Sequence, residues 1–108
     1  MEFREVVRRR FMCRSFEDRE VPEEKVEAIL DAARRFPSAG HTQPQEFILV
    51  RDPGVKDALG RAALGQMFLA RAPIVIAVVS DVDRSAAVYG ERGVRFYSIL
   101  DGGFASML

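Results

Sequence analysis

The sequence contains little of what covalent or metal-bound sites are usually built from. Cys13 is its one cysteine and His41 its one histidine. A single thiol excludes an intrachain disulfide, and the expected location is therefore the reducing cytoplasm. One cysteine and one histidine have no characteristic spacing of metal ligands, so we expect no metal site. We expect Cys13 to be a small buried hydrophobe rather than a nucleophile.

Long apolar runs and an excess of charge of one sign are absent as well. The longest apolar stretch, Pro73 to Val79, is far too short to span a bilayer, and the charged first residues do not form a signal peptide. Sixteen basic and sixteen acidic residues cancel, which gives no electrostatic reason to expect nucleic acid. With 48% apolar residues, residues 1–108 are predicted to form a single globular domain that binds neither membrane nor nucleic acid.

Periodicity predicts the element order α, α, β, α, β, α. The predicted elements are helices over residues 2–10, from Pro22 to the stop at Pro37, over 55–70 and over 94–108; strands over 46–51 and 74–79; and loops over 12–21 and 89–93. The second strand is apolar on both faces and is expected to be central in its sheet. Two strands are too few for a stable sheet. Because the chain also stops within an apolar helical pattern, we expect a domain that lacks its C-terminal part, with further strands from missing sequence or another subunit.

Two groups of residues stand out as a candidate ligand site. The segment Pro37 to Phe47 is a polar, glycine-containing turn before a strand, where main-chain N–H groups are available to a ligand. Upstream, four arginines offer guanidinium groups suited to a phosphate: Arg8, Arg9, Arg10 and Arg14. Simpler interpretations remain open, namely a solvated basic helix end and a helix-stop loop. The second of these explains His41 and Gln43 less well. The dinucleotide pattern G-x-G-x-x-G is absent.

Both groups resemble signatures of the nitroreductase-like FMN-dependent oxidoreductases, in particular their N-terminal portion. The family's R-R-S-x-R-x-F pattern, followed by V-P-E-E, is similar to Arg9–Asp18 and Val21–Glu24. Its P-S-x-x-N/H-x-Q-P-W-x-F pattern is similar to Pro37–Phe47. Two later blocks are also similar, Tyr89–Gly93 and Ile99–Ala105. The likeness thus covers nearly the whole chain in the right order.

The resemblance implies a fold, a cofactor and a reaction. The implied fold is an α+β sandwich, with an antiparallel-dominated sheet flanked by helices, built as an intertwined homodimer. FMN would lie at the subunit interface and pass a hydride from NAD(P)H to a small organic acceptor such as a nitro compound or quinone. No side chain is implied as catalytic. The implied cofactor-binding residues are Arg9, Arg10, Met12, Arg14, Pro37, Ser38, Ala39, Gly40, His41 and Gln43.

Two other functions remain open at this stage. The same flavin could serve a dehalogenase, since His41-Thr42 resembles the deiodinase-like branch, or a flavin-fragmenting relative. A chain without its C-terminal portion could instead be a non-catalytic fragment that only self-associates. Two substitutions depart from the family pattern. Met12 replaces a polar residue near the expected phosphate, and Gln45 replaces the common tryptophan.

Overall fold

The computed structural model describes residues 1–107. The helices are α1 (Phe3–Arg9), α2 (Glu23–Arg34), α3 (Pro53–Ala62), α4 (Phe68–Arg71), α5 (Val82–Tyr89) and α6 (Ser98–Ala105). A 3-10 turn occupies Ala39–His41 and a π-helical turn occupies Gly93–Tyr97. The strands are β1 (Gln45–Val50) and β2 (Val75–Ser80). The last position of the final predicted helix, Leu108, lies outside the described residues.

The two strands form an antiparallel sheet against which helices pack. Gln45 pairs with Ser80 at one end and Val50 with Val75 at the other, and α6 lies against both strands. Helix α2 supplies three of the six buried apolar residues, because an apolar residue recurs on one face at helical spacing. The buried apolar residues are Val26, Leu30, Ala33, Val50, Ala72 and Ala105. The result is the predicted α+β architecture.

The long helix predicted over residues 55–70 is wrong. The chain leaves the helix after Ala62 and resumes it only at Phe68. Leu64 and Gly65, between α3 and α4, have left-handed φ values of 61° and 75°. Left-handed residues commonly end helices in this way. The apolar spacing of the segment continues across the break, so it does not indicate that the helix ends.

The loop predicted over residues 89–93 is also wrong. Helix α5 begins after Asp81, whose side chain accepts from the Arg84 N–H at 3.1 Å, and it runs to Tyr89. Gly90, with φ 56°, is the interruption, after which the chain returns to helical turns. Gly93 is buried where a Cβ would come within 2.5 Å of the Ser85 main chain, so glycine there permits close packing of the two turns.

The central position predicted for strand β2 stays a prediction. Within residues 1–107 the sheet has two strands, and five of the six residues of β2 are half-buried. The apolar character of both faces fits a strand that has neighbours on each side, and the described part of the chain supplies only one. In the same range, no helix combines the length and the apolar character needed to cross a membrane.

Candidate flavin-binding turn

The candidate site is built around a turn with an unusual main chain. We define the site turn as Ser38–Gln43. Three of its residues, Gly40, His41 and Gln43, have left-handed φ values of 57°, 54° and 47°. For residues other than glycine this region costs about 1–2 kcal/mol each. Such a conformation persists only where surrounding contacts fix it.

Hydrogen bonds within the site turn supply part of that constraint. The Gln43 N–H donates to the Ser38 Oγ at 2.7 Å, and the Thr42 hydroxyl donates to the Ala39 carbonyl at 3.0 Å. The His41 N–H donates to the Ser38 carbonyl, also at 3.0 Å. These bonds close the turn from within. They explain the presence of the hydroxyl residues Ser38 and Thr42 in the turn.

Three contacts from distant parts of the chain hold the turn in place. The Ala39 N–H donates to both oxygens of the Asp101 carboxylate, at 3.1 and 3.2 Å. Arg84 Nη1 donates to the Gln43 carbonyl at 2.8 Å. The Asp81 N–H donates to the carbonyl of the fully buried Pro44 at 2.7 Å. Helices α5 and α6 therefore position the turn at the start of β1.

Tyr89 closes one side of the turn. A Cβ built on Gly40 would lie 2.5 Å from the Tyr89 hydroxyl oxygen and 3.1 Å from the ring. The Tyr89 ring packs against the Tyr97 ring in a tilted arrangement, with ring centroids 4.5 Å apart. Glycine is thus needed at position 40 for two reasons, its left-handed φ and the close approach of the tyrosine.

The other side of the turn is open to solvent. Gly40, His41 and Gln43 are exposed, and Ser38 and Ala39 are half-exposed. Within residues 1–107, the Gly40 N–H donates to no acceptor. Small side chains and a bare main-chain donor are features that suit the face and polar edge of a flavin ring.

The arginine segment, defined here as residues 9–14, is arranged quite differently. Arg9 ends α1 and pairs with Glu5 at 2.9 Å. Arg10 and Arg14 are exposed and form no ion pair within residues 1–107, although the Arg14 guanidinium carbon lies 6.0 Å from the centroid of the Phe68 ring. Met12 is 62% exposed. Two uncommitted guanidinium groups fit the chemistry of a phosphate.

The structure does not join the two predicted groups directly. Within residues 1–107, no hydrogen bond or ion pair connects the arginine segment with the site turn. Pro37 is exposed just before the turn, where it separates the turn from α2. Cys13 is half-buried, and its thiol donates to the Ser15 carbonyl at 3.0 Å. No cluster of three or more metal-ligating side chains occurs in the same range.

Three residues that position the turn were not among the sequence candidates. Asp101 and Tyr89 fall within the two later blocks of family likeness. Each, however, is separated in sequence from the residue it contacts in the turn by about half the length of the chain. Arg84 lies in a segment without a predicted element. An acidic residue on the buried face of a helix was the one available signal for Asp101, because buried carboxylates need partners.

The sequence is similar to that of several known proteins. A profile described as "Nitroreductase family" matches residues 7–102. An NADH dehydrogenase of Thermus thermophilus is 38% identical over 96 residues, covering 81% of this chain and 47% of that protein. Iodotyrosine deiodinase 1 of Pongo abelii is 32% identical over 65 residues, covering 60% of this chain and 22% of that protein.

The fold is shared with a solved nitroreductase structure. An FMN-dependent nitroreductase of Clostridium difficile R20291 superposes with a TM-score of 0.74 and 30% identity, over 92% of this chain and 53% of that one. The chain thus spans about half the length of such relatives. The profile match covers most of the sequence, including both the arginine segment and the site turn. On this evidence, the chain belongs to the nitroreductase family.

Proposed function

We propose that the chain forms part of an FMN-dependent oxidoreductase that uses NAD(P)H to reduce a small organic acceptor, such as a nitro compound or a quinone. The observation that carries the proposal is the site turn. Its strained main chain is held from three sides while its small, polar face stays open. Family membership and a relative named as FMN-dependent support FMN as the ligand of that face.

In this proposal the chain's own residues bind and orient the cofactor. Arg10 and Arg14, with Arg9 and the Met12 main chain beside them, hold the phosphate through charge-assisted hydrogen bonds. Ser38, Ala39, Gly40 and His41 lie against the ring, while Pro37 and Gln43 fix the ends of the turn. FMN, when bound, supplies the electron-transfer chemistry. No side chain of this chain is assigned as a proton donor.

A homodimer is part of the same proposal. Helix α1 buries none of its residues. Apolar side chains around it are exposed: Phe3, Val6, Val7 and Phe11. A second chain covers these apolar side chains in the proposed dimer. Its residues then lie near the site of the first chain, so that the arginine segment and the site turn of one FMN site can come from different chains. The cytoplasmic location expected from the single cysteine stays a prediction.

Dehalogenation is the second candidate reaction. It is favoured by the similarity to iodotyrosine deiodinase 1, whose aligned region covers 60% of this chain. Turnover of nitro compounds, quinones and halotyrosines by one FMN-loaded preparation, with NADH and NADPH each as donor, separates the two reactions. Exclusive turnover of a halotyrosine contradicts the first assignment. The non-catalytic alternative predicts a flavin-free oligomer in sedimentation.

The first experiment is an absorbance spectrum of the purified 108-residue protein, with chromatography of the flavin released by heat. We expect a flavin spectrum, FMN as the released compound, and about one FMN per chain after reconstitution. Riboflavin, which lacks the phosphate, is the matched control ligand and is expected to bind more weakly. A colourless protein that takes up neither flavin contradicts the proposal for this chain.

A further inference from the structure

One buried carboxylate fixes the start of the site turn. Asp101 lies in α6, 62 residues after Ala39, and both of its oxygens accept from the single Ala39 N–H. Only 4% of Asp101 is exposed. Within residues 1–107 the carboxylate has no ion-pair partner and no second hydrogen-bond donor.

Burying the Asp101 carboxylate in this way does not by itself favour the folded state. A carboxylate removed from water needs several partners to compensate for its lost hydration, and here one main-chain N–H is the partner. What the contact does determine is the orientation of the Ser38–Ala39 peptide, whose N–H it binds. That peptide lies one residue before the left-handed residues Gly40 and His41, so its orientation sets which way the open face of the turn points.

We propose that Asp101 is a positioning residue for the cofactor: it holds the Ala39 peptide so that the Gly40 N–H and the open face of the turn are preorganised for FMN. This inference rests on the proposed function. Preorganisation raises affinity because the ligand does not have to order the turn when it binds. The carboxylate acts through the main chain and is not assigned a contact with the flavin.

The two-oxygen geometry makes the effect of substitution specific. Asp101→Asn keeps one acceptor oxygen and replaces the other with an NH2 group, so the Ala39 N–H can keep at most one of its two acceptors. Asp101→Ala removes both acceptors and leaves that N–H unpaired in a buried place. Ser98→Ala is the matched control, because Ser98 is equally buried in α6 and its hydroxyl donates to the Val94 carbonyl at 3.1 Å, away from the turn.

The test combines two measurements on the full 108-residue chain. Amide hydrogen exchange, resolved at Ala39–Gln43 in the FMN-free protein, reports whether the carboxylate orders the turn. FMN titration reports the affinity, and visible circular dichroism at saturating FMN reports the ring's surroundings. We expect both Asp101 variants to exchange faster at Ala39, to bind FMN about tenfold to a hundredfold more weakly, and to show an altered dichroism spectrum. We expect Ser98→Ala to change none of the three.

The outcomes separate this inference from the proposed function. Unchanged exchange at Ala39 in the Asp101 variants overturns it, as does wild-type FMN affinity with a wild-type dichroism spectrum. Equal loss of affinity in Ser98→Ala also overturns it, because the effect is then one of general stability. If Asp101→Ala does not fold, Asp101→Asn carries the test. If the wild-type chain binds no FMN, the proposed function fails, and exchange at Ala39 alone decides whether Asp101 orders the turn.

Discussion

The two parts of the candidate site, the site turn and the arginine segment, differ in how strongly the chain itself fixes them. The turn is held by hydrogen bonds within it and by contacts from α5 and α6, including those of Arg84 and Asp101. The arginine segment follows a helix with no buried residue, and Arg10 and Arg14 are exposed. One half of the site is therefore held by the chain's own contacts, and we expect the other half to gain order from the ligand that binds to it.

This difference separates two kinds of energetic effect. A change in the turn alters contacts that the folded chain already makes, so both stability and ligand affinity should fall. A change in the arginine segment removes groups that contact little else in the described chain, so affinity should fall while stability stays constant. The predictions that follow test this separation.

Gly40→Ala is expected to have the largest effect. The new Cβ meets the Tyr89 hydroxyl and adds left-handed strain. Together these costs amount to about 2–5 kcal/mol in the free energy of unfolding. We expect urea unfolding to show this loss and FMN titration to show little or no binding.

Gly65→Ala is the matched control for that substitution. Gly65 also has a left-handed φ, 75°, but a Cβ there meets nothing within 4 Å. Its expected cost is therefore the backbone strain alone, about 1–2 kcal/mol, with FMN affinity unchanged. Equal destabilisation by the two substitutions would show that the approach of Tyr89 to Gly40 does not constrain the turn.

Arg10→Ala is expected to separate affinity from stability. Arg10 is exposed and forms no ion pair within residues 1–107, so the free energy of unfolding should change by less than about 0.5 kcal/mol. Loss of a charge-assisted hydrogen bond to phosphate should weaken FMN binding about tenfold to a hundredfold. Fluorescence titration at fixed salt measures this change. The control is Arg4→Ala, on the preceding helix α1. An equal loss of affinity there would show that the effect comes from the overall charge rather than from Arg10.

The sequence predicted the parts of the fold whose signals are local. The apolar stripe of Val26, Leu30 and Ala33 predicts α2, and all three residues are buried. The apolar runs before Asp52 and before Asp81 predict the two strands to within one residue at each end. The turn between Pro37 and β1 follows from its helix-stopping and turn-forming residues. The ligand contacts of these residues stay predictions.

The remaining features depend on main-chain geometry or on contacts distant in sequence. Leu64 is left-handed although leucine favours helices, so no propensity predicts the break between α3 and α4. Gly90 interrupts the helical turns at a single residue rather than forming a loop. The contact of Asp101 with Ala39 crosses 62 positions, and it arises only when α6 packs on the sheet. Tertiary packing decides each of these.

Apart from the controls, Arg84→Ala is the substitution expected to have the smallest effect on FMN affinity. Arg84 donates to the Gln43 carbonyl at 2.8 Å, yet its side chain is about half exposed, so water replaces much of the lost contact. We expect a loss of about 0.5–1 kcal/mol in stability and a twofold to fivefold weaker FMN affinity. The control, Arg95→Ala, removes an exposed pair with Glu91 and should leave affinity unchanged. If Arg84→Ala instead lowers affinity without any loss of stability, Arg84 behaves like the arginine segment, and the division between a preformed turn and a ligand-ordered segment does not hold at this edge of the site.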